Sequence, residues 1–273
     1  MSVFIASLNS GSNGNCYYVG NATEAVLIDA GISCKEVEKR LRRLDLSIDK
    51  VKAIFISHEH IDHIKGVEVL SKRYGLPVYI TPATLGNSNA KPPIHHVRSF
   101  IAHAPVTIGG ISVTAFPKRH DAVDAHSFIV TAGDVRIGVL TDIGAPCEHV
   151  ISYFSQCHAA FLEANYDEEM LANGRYPYHL KKRISGEHGH MSNAQALELF
   201  RAHKPAHMSH LFLSHLSRDN NDPELALSAF RPHAGNVQVM VASRYNETEV
   251  FEISTAKAKQ HTTTRPVQAS LFS

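Results

Sequence analysis

The sequence predicts an α/β protein in which two β-sheets are flanked by helices within one domain. Three observations carry this reading. Apolar runs of strand length recur through both halves of the 273 residues, bounded by Gly, Asn, Asp or Ser. Helical patterns fall between those runs, as they do where helices cover sheet faces. No repeat of solenoid period is present.

The elements follow in order. Residues 3–8 alternate as a strand, and the Gly/Ser/Asn-rich stretch 9–15 is a turn. Strands are expected at 16–19 and 25–28, the latter ending at Asp29-Ala30-Gly31. Ser33 is a natural N-cap for a helix through Leu44 that carries Val37, Leu41 and Leu44 on one face. The apolar run 51–57 reads as a buried strand, followed by a helix over 65–74 closed by Gly75. Further strands are expected at 77–81, 109–116, 127–131, 135–140, 159–163, 210–213, 237–242 and 249–253, with helices at 192–202 and 223–230.

Composition narrows the class. Hydrophobic residues make up 44% and charged residues 19%, and the net charge of +1 gives no overall basic field for nucleic acid. The four cysteines form no C-x-x-C pair. With no secretory leader in view, a reducing, cytoplasmic setting is expected. No apolar run approaches the roughly 20 residues of a membrane span. The compositional outlier is histidine, with 19 copies.

Those histidines concentrate where chemistry would need them. His58-Glu59-His60-Ile61-Asp62-His63 follows the 51–57 strand directly, placing four metal-ligating side chains in six positions. Imidazole with carboxylate suits zinc, manganese or iron, and four such groups exceed the needs of one open catalytic ion. In an extended segment His58, His60 and Asp62 would point together while His63 turned toward a second ion. Glu59 would point away. Two adjacent divalent ions are a device for phosphodiester hydrolysis. Three later segments end apolar strands with further ligands: His120-Asp121, Thr141-Asp142-Ile143-Gly144 and Ser214-His215-Leu216-Ser217.

In this order of motifs the chain resembles the metallo-β-lactamase superfamily, whose fold is an αββα sandwich, and specifically its phosphodiesterase and nuclease branch. The resemblance implies that Asp29 orients a ligand, that His58, His60 and His120 hold one ion, and that Asp62, His63 and His215 hold the other. Asp142 would bridge them. The stretch from His120 to Phe128 resembles ribonuclease Z, and Glu163-Ala164-Asn165 with His190-Met191-Ser192-Asn193 resembles the pair such enzymes use for acid chemistry. Residues 10–15, 141–144, 189–193 and 215–221 together resemble the YycJ/WalJ-type bacterial exonucleases. The implied activity is 5′-to-3′ DNA exonuclease action, with water activated between two ions attacking phosphorus and His190, held by Glu163, protonating the leaving oxygen. Zinc is the first expectation, with manganese or iron as alternatives. The competing readings are a small-molecule cyclic phosphodiesterase and a non-catalytic, metal-binding regulatory protein. RNA is the alternative to DNA as substrate.

Weaker signals complete the reading. Ser12 and Asn13 in the Gly-rich loop could face a phosphate, with the loop's backbone N–H groups beside them. Lys181, Lys182, Arg183 and Asn220 could grip a nucleic-acid backbone, against the usual fate of a charge run as solvated surface. A catalytic domain over 1–253 is expected to give way to a polar, basic tail over 254–273. Within the tail, Gln268, Leu271 and Phe272 resemble the short peptide by which bacterial DNA enzymes dock on the replication sliding clamp.

Overall fold

In the computed structural model, which describes residues 2–255, the expected two sheets each contain seven strands. The first holds β1 (Val3–Asn9), β2 (Cys16–Gly20), β3 (Ala25–Ile28), β4 (Val51–Phe55), β5 (Val78–Tyr79) and β6 (Val97–Arg98) in sequential order, with a late strand, Phe251–Ile253, beside β1. The second holds β7 (Pro105–Ile108), β8 (Ile111–Pro117), β9 (His126–Ala132), β10 (Val135–Leu140), β11 (Ala159–Glu163), β12 (His210–Ser214) and β13 (Gln238–Val241), again in sequential order; Phe251–Ile253 is β14. Strand pairing is antiparallel from β7 through β10 and parallel from β10 through β13.

Helices cover the outer faces. Strands β2, β3 and β11 are buried along their whole length, as continuous apolar runs demand when both faces are covered. Between the sheets Tyr17, Phe55, Phe128, Phe161 and Phe212 interdigitate, with Tyr17 4.8 Å from Phe161 and Phe55 5.9 Å from Phe128, ring centre to ring centre. Truncating one such buried ring would cost about 3–5 kcal/mol. Outside the first sheet pack α1 (Cys34–Arg43), the one-turn α2 (Ile61–Ile64) and α3 (Val67–Tyr74), while α4 (Pro82–Asn87) lies at its edge. The second sheet carries α5 (Glu148–Phe154), α8 (Asn193–His203) and α9 (Pro223–Phe230), and the connection between β11 and α8 contains α6 (Glu168–Asn173) and α7 (Tyr178–Ile184). Ser33 caps α1, and Ser192 caps α8 through a reciprocal box with Gln195.

Several expectations need correction. The strand at 51–57 stops at Phe55, and residues 61–64 are helical, so Asp62 and His63 do not continue an extended segment. The expected 65–74 helix begins only at Val67, because Gly66 N–H is held by the Ala30 carbonyl at 2.7 Å. Residues 109–116 are one arm of a hairpin turning at Gly109-Gly110, whose other arm, β7, was overlooked. The short helices α4 to α7 were also missed; none is long enough to show two full turns of apolar periodicity. No helix of the described residues is long and apolar enough to cross a membrane. Residues 256–273, including Gln268, Leu271 and Phe272, lie outside the described residues.

Candidate metal centre

Every strand that feeds the centre does so from its C-terminal end, the edge where open α/β sheets bind ligands. In the first sheet β3 and β4 run parallel with Ile28 beside Phe55, so Asp29 and the 56–63 segment leave side by side. Asp29 N–H donates to Phe55 O at 2.8 Å, and its carboxylate accepts from Ser57 N–H and Ser57 Oγ, each at 2.8 Å. Its Oδ2 lies 2.7 Å from His63 Nδ1, which fixes that ring. The Asp62 carbonyl accepts from Asn15 N–H, and the His63 carbonyl accepts from Ala30 N–H. Gly31 is obligatory here: a Cβ at that position would lie 1.6 Å from the Asp62 oxygen.

The second sheet contributes by register. Leu140 pairs with Leu162 and Leu162 with Leu213, so Asp142, Glu163 and His215 all fall within two residues of this row. Asp29, Asp142 and His215 have φ of 60°, 55° and 57°. The left-handed region is strained for non-glycine residues and concentrates at functional sites.

Four overlapping sets of ligand atoms result, with the atoms of each set within 4.8 Å of one another. They are His58/His60/His120, Asp62/His63/His215, His58/His63/Asp142 and Asp142/Glu163/His190/His215. The first two are the groupings that the resemblance implied. His58 Nε2 lies 3.0 Å from His60 Nδ1, and His120 Nε2 lies 3.4 Å from the same atom. His63 Nε2 is 3.2 Å from Asp142 Oδ2, and His215 Nε2 is 3.6 Å from Asp62 Oδ2.

The donor set fits divalent ions. Ring nitrogens facing away from the centre are anchored: His58 Nδ1 by Ser57 Oγ, His63 Nδ1 by Asp29, His120 Nδ1 by Gly189 O and His215 Nδ1 by Glu163. Anchoring one imidazole nitrogen aims the other, as metal-binding histidines require. Buried Asp142 Oδ2 and His215 Nε2 make no hydrogen bond beyond their ion-pair contacts to His63 and Asp62, a condition that coordination relieves. Burial holds His58 well below the usual histidine range and His120 down at about 3, so both present neutral ligands. For His63 and His215 burial acts the same way but is outweighed by Asp142 and its neighbouring carboxylates, which raise His215 to about 10. A proton there stands in for positive charge that the carboxylates demand.

His190 Nδ1 lies 2.8 Å from Glu163 Oε1, while Glu163 Oε2 accepts from Ile143 N–H at 2.6 Å and Met191 N–H at 3.3 Å. His190 lines the cavity of about 160 Å³ over the centre, with Ser12, His60, Asp62, His120, Asp142, Arg183 and His215 among its neighbours. The remaining expected contacts divide. Arg183 reaches the rim paired with Asp121 at 2.5 Å, whereas Lys181 donates to Ala172 O and Lys182 is exposed away from the cavity. Asn13 is turned to Arg244 O at 2.7 Å, and Asn220 is buried in its own turn against Ser217. The loop N–H groups of Gly11, Gly14 and Asn15 bond within the protein and do not form a phosphate cradle.

Sequence reading passed over three supporting residues. Asn15 Nδ2 lies 3.2 Å from Asp62 Oδ2 and 3.1 Å from His63 Nε2. Lys118, buried beside the carboxylates, donates to Thr141 O at 2.7 Å. Asn165 Nδ2 donates to His215 O at 2.7 Å. Asn15, in the 10–15 stretch, and Asn165, in the segment with Glu163, fell within motifs that carried the resemblance, whereas Lys118 carried no signal.

Known proteins place this arrangement. Residues 24–215 match the family described as a beta-lactamase superfamily domain. The chain is 33% identical over 269 residues to an exodeoxyribonuclease, YycJ, of Bacillus anthracis, covering 96% of this chain and 98% of that one. It is also 33% identical over 224 residues to exodeoxyribonuclease WalJ of Streptococcus pneumoniae, with 80% and 83% covered. Among solved structures, the metallo-beta-lactamase fold protein YhfI of Bacillus subtilis superposes with a TM-score of 0.71 at 17% identity, over 92% of this chain and all of that one. With strand order, ligand edge and relatives in agreement, the chain belongs to the metallo-β-lactamase superfamily of metal-dependent hydrolases, in the branch of the YycJ and WalJ exodeoxyribonucleases.

Proposed function

We propose that the chain is a DNA exonuclease acting 5′ to 3′ through two divalent ions. One ion is assigned to His58, His60 and His120 and the other to Asp62, His63 and His215, with Asp142 between them. The observation that carries the reading is the pair of ligand sets flanking Asp142, which lies 3.2 Å from His63 Nε2 and 3.9 Å from His120 Nε2, in a chain similar over nearly its whole length to an exodeoxyribonuclease. Ions bound there would supply activated water at neutral pH and neutralise charge on the phosphate oxygens. Zinc is the first assignment on ligand type, with manganese and iron as competitors.

The chain's own groups do the rest. Asp29 and Ser57 hold His63 against rotation, and Glu163 holds both His190 and His215 through one carboxylate oxygen. With Nδ1 engaged by Glu163, His190 keeps Nε2 to give a proton to the leaving oxygen. Its side chain is 22% exposed, enough to meet substrate at the cavity wall. The tail peptide Gln268-Ala269-Ser270-Leu271-Phe272 is assigned to clamp docking, which raises local concentration on DNA without touching the chemistry.

The test is cleavage of strands labelled at either end, single- and double-stranded, DNA and RNA, with zinc, manganese and iron in turn. Mononucleotide release from the 5′ end of DNA is the expected result. Faster turnover of cyclic nucleotides than of any oligonucleotide gives the protein to small-molecule chemistry, and metal uptake with no turnover gives it to a binding role.

A further inference from the structure

The proposed function leaves unused a second cavity, of about 390 Å³, beside the metal centre. It opens between the turn after β12 and residues 243–245 after β13. Leu216, Pro223 and Val241 supply apolar lining, with Arg218, Arg244 and Tyr245 at the sides. The two cavities adjoin. Leu216 follows His215 directly, and an Arg244 guanidinium nitrogen lies 3.4 Å from Ser12 Oγ, which lines the metal cavity.

Arg244 stands out because no carboxylate is paired with it. Its guanidinium makes long hydrogen bonds, 3.5 Å to Leu216 O and 3.4 Å to Ser12 Oγ, lies 5.9 Å from the centre of the Tyr245 ring, and forms no ion pair among the described residues. The other arginines lining the cavities are neutralised: Arg218 by Asp219 at 3.1 and 3.3 Å, Arg183 by Asp121. Asp222 also lines the cavity, but its carboxylate is engaged by the Glu224 and Leu225 N–H groups at the start of α9. The Arg244 backbone is fixed, since its carbonyl accepts from Asn13 and the neighbouring Ser243 O accepts from Ser10 N–H. Next to it the Tyr245 ring is 65% exposed.

A guanidinium with no carboxylate partner at the edge of the metal cavity, an exposed phenol ring and an apolar floor are the parts that hold a nucleotide of a single strand. We propose that this cavity is a subsite for the nucleotide flanking the scissile bond, with Arg244 donating to the adjacent phosphate and Tyr245 stacking on the base. The proposal rests on the nuclease reading. It places substrate affinity at 244–245 and leaves bond breaking to the metal centre.

The test compares the metal-loaded, full-length protein on a labelled single-stranded oligonucleotide and on bis(p-nitrophenyl) phosphate, which is small enough to engage the metal cavity alone. Arg244→Ala and Tyr245→Ala should each raise KM for the oligonucleotide about tenfold, the range for one stacked base or phosphate contact. The loss on the small ester should be several-fold smaller. Tyr245→Phe, which keeps the ring, should restore KM, and Arg244→Ala should lower the salt slope of KM by about one. Equal losses on both substrates, or an unaltered oligonucleotide KM, overturn the subsite. A wild type that cleaves the ester but no nucleic acid overturns the nuclease reading beneath it.

Discussion

The two sheets contribute to one centre in different ways. The first delivers His58, His60, Asp62 and His63 from six consecutive positions, clamped by backbone contacts from Asn15 and Ala30 and by the Asp29 carboxylate. The second delivers His120, Asp142, Glu163 and His215 from four separate segments: the last three are aligned because β10, β11 and β12 run parallel in register, while His120 enters after β8 and is held by Gly189 O. The first half therefore depends on a tight loop, with Gly31 against the Asp62 carbonyl as its narrowest point. The second depends on the whole sheet being folded. Side chains that assemble through register carry no mutual signal in sequence, although they sit as close together as the contiguous ones.

Asp142 is where the halves meet, so its loss should have the largest effect. It lies 3.2 Å from both His63 Nε2 and His215 Nδ1. Asp142→Ala should lower turnover on the order of 10³-fold or more, as loss of a central electrostatic group does, and bound metal should fall with it. Full metal content in an inactive variant would remove Asp142 from the ligand set. His190→Gln comes next. Loss of a general acid costs about 10²–10⁴ in kcat, and elemental analysis should find metal content unaltered. Metal loss in that variant would instead make the Asp142/Glu163/His190/His215 set a true ion site.

The contrast between the halves also explains what was legible. The 58–63 cluster announces itself, and strand-end positions flagged His120, Asp142 and His215. Strands such as β2, β3 and β11 were legible because they are buried on two faces and read as continuous apolar runs, whereas β7, exposed at alternate positions, was not. Backbone strain was not: nothing in Asp29, Asp142 or His215 as residue types specifies positive φ, which tertiary contacts impose, as with the 2.8 Å bond from His215 N–H to Ser10 Oγ. The helical turn at 61–64 was misread as extended because its periodicity is too short to register. Arg183 reaches the rim while Lys181 and Lys182 do not, because α7 turns successive side chains about 100° apart.

Asn165 separates the halves experimentally. Its side chain donates to the His215 carbonyl, and its own carbonyl accepts from Ser217 N–H at 2.7 Å. Asn165→Ala leaves a buried carbonyl unpaired, at about 1–3 kcal/mol, and frees the last ligand to shift. Support of this kind is worth about 10–100-fold in metal affinity. Chelator competition should therefore show one ion weakened and the ion on His58, His60 and His120 retained. Equal weakening of both would mean that the centre responds as a unit and that the division by sheet has no energetic content.

The smallest effect is expected in the metal-free protein, as a dependence of stability on pH. Burial opposes protonation of His215, yet Asp142, Asp62 and Glu163 outweigh it and raise the imidazole to about 10; His63 is raised likewise by Asp142, Asp29 and Asp62. Unfolded histidine titrates near about 6.5. Because the folded values are the higher ones, the stabilisation is complete below about pH 6.5 and is lost as pH rises toward about 10. His58 and His120, depressed by burial, are neutral in the folded protein and add no slope once pH is about one unit above the unfolded histidine value. The melting temperature of metal-free protein should thus fall between those limits, by about 2–4 °C for each kcal/mol lost. Metal-loaded protein should stay flat, because bound ions replace the protons and release them on binding. Titration would then divide the centre by ion, with the Asp62/His63/His215 set carrying the slope, where folding divides it by sheet. His215→Gln in the metal-free protein should remove part of that slope; an unchanged slope would assign the proton to His63 alone.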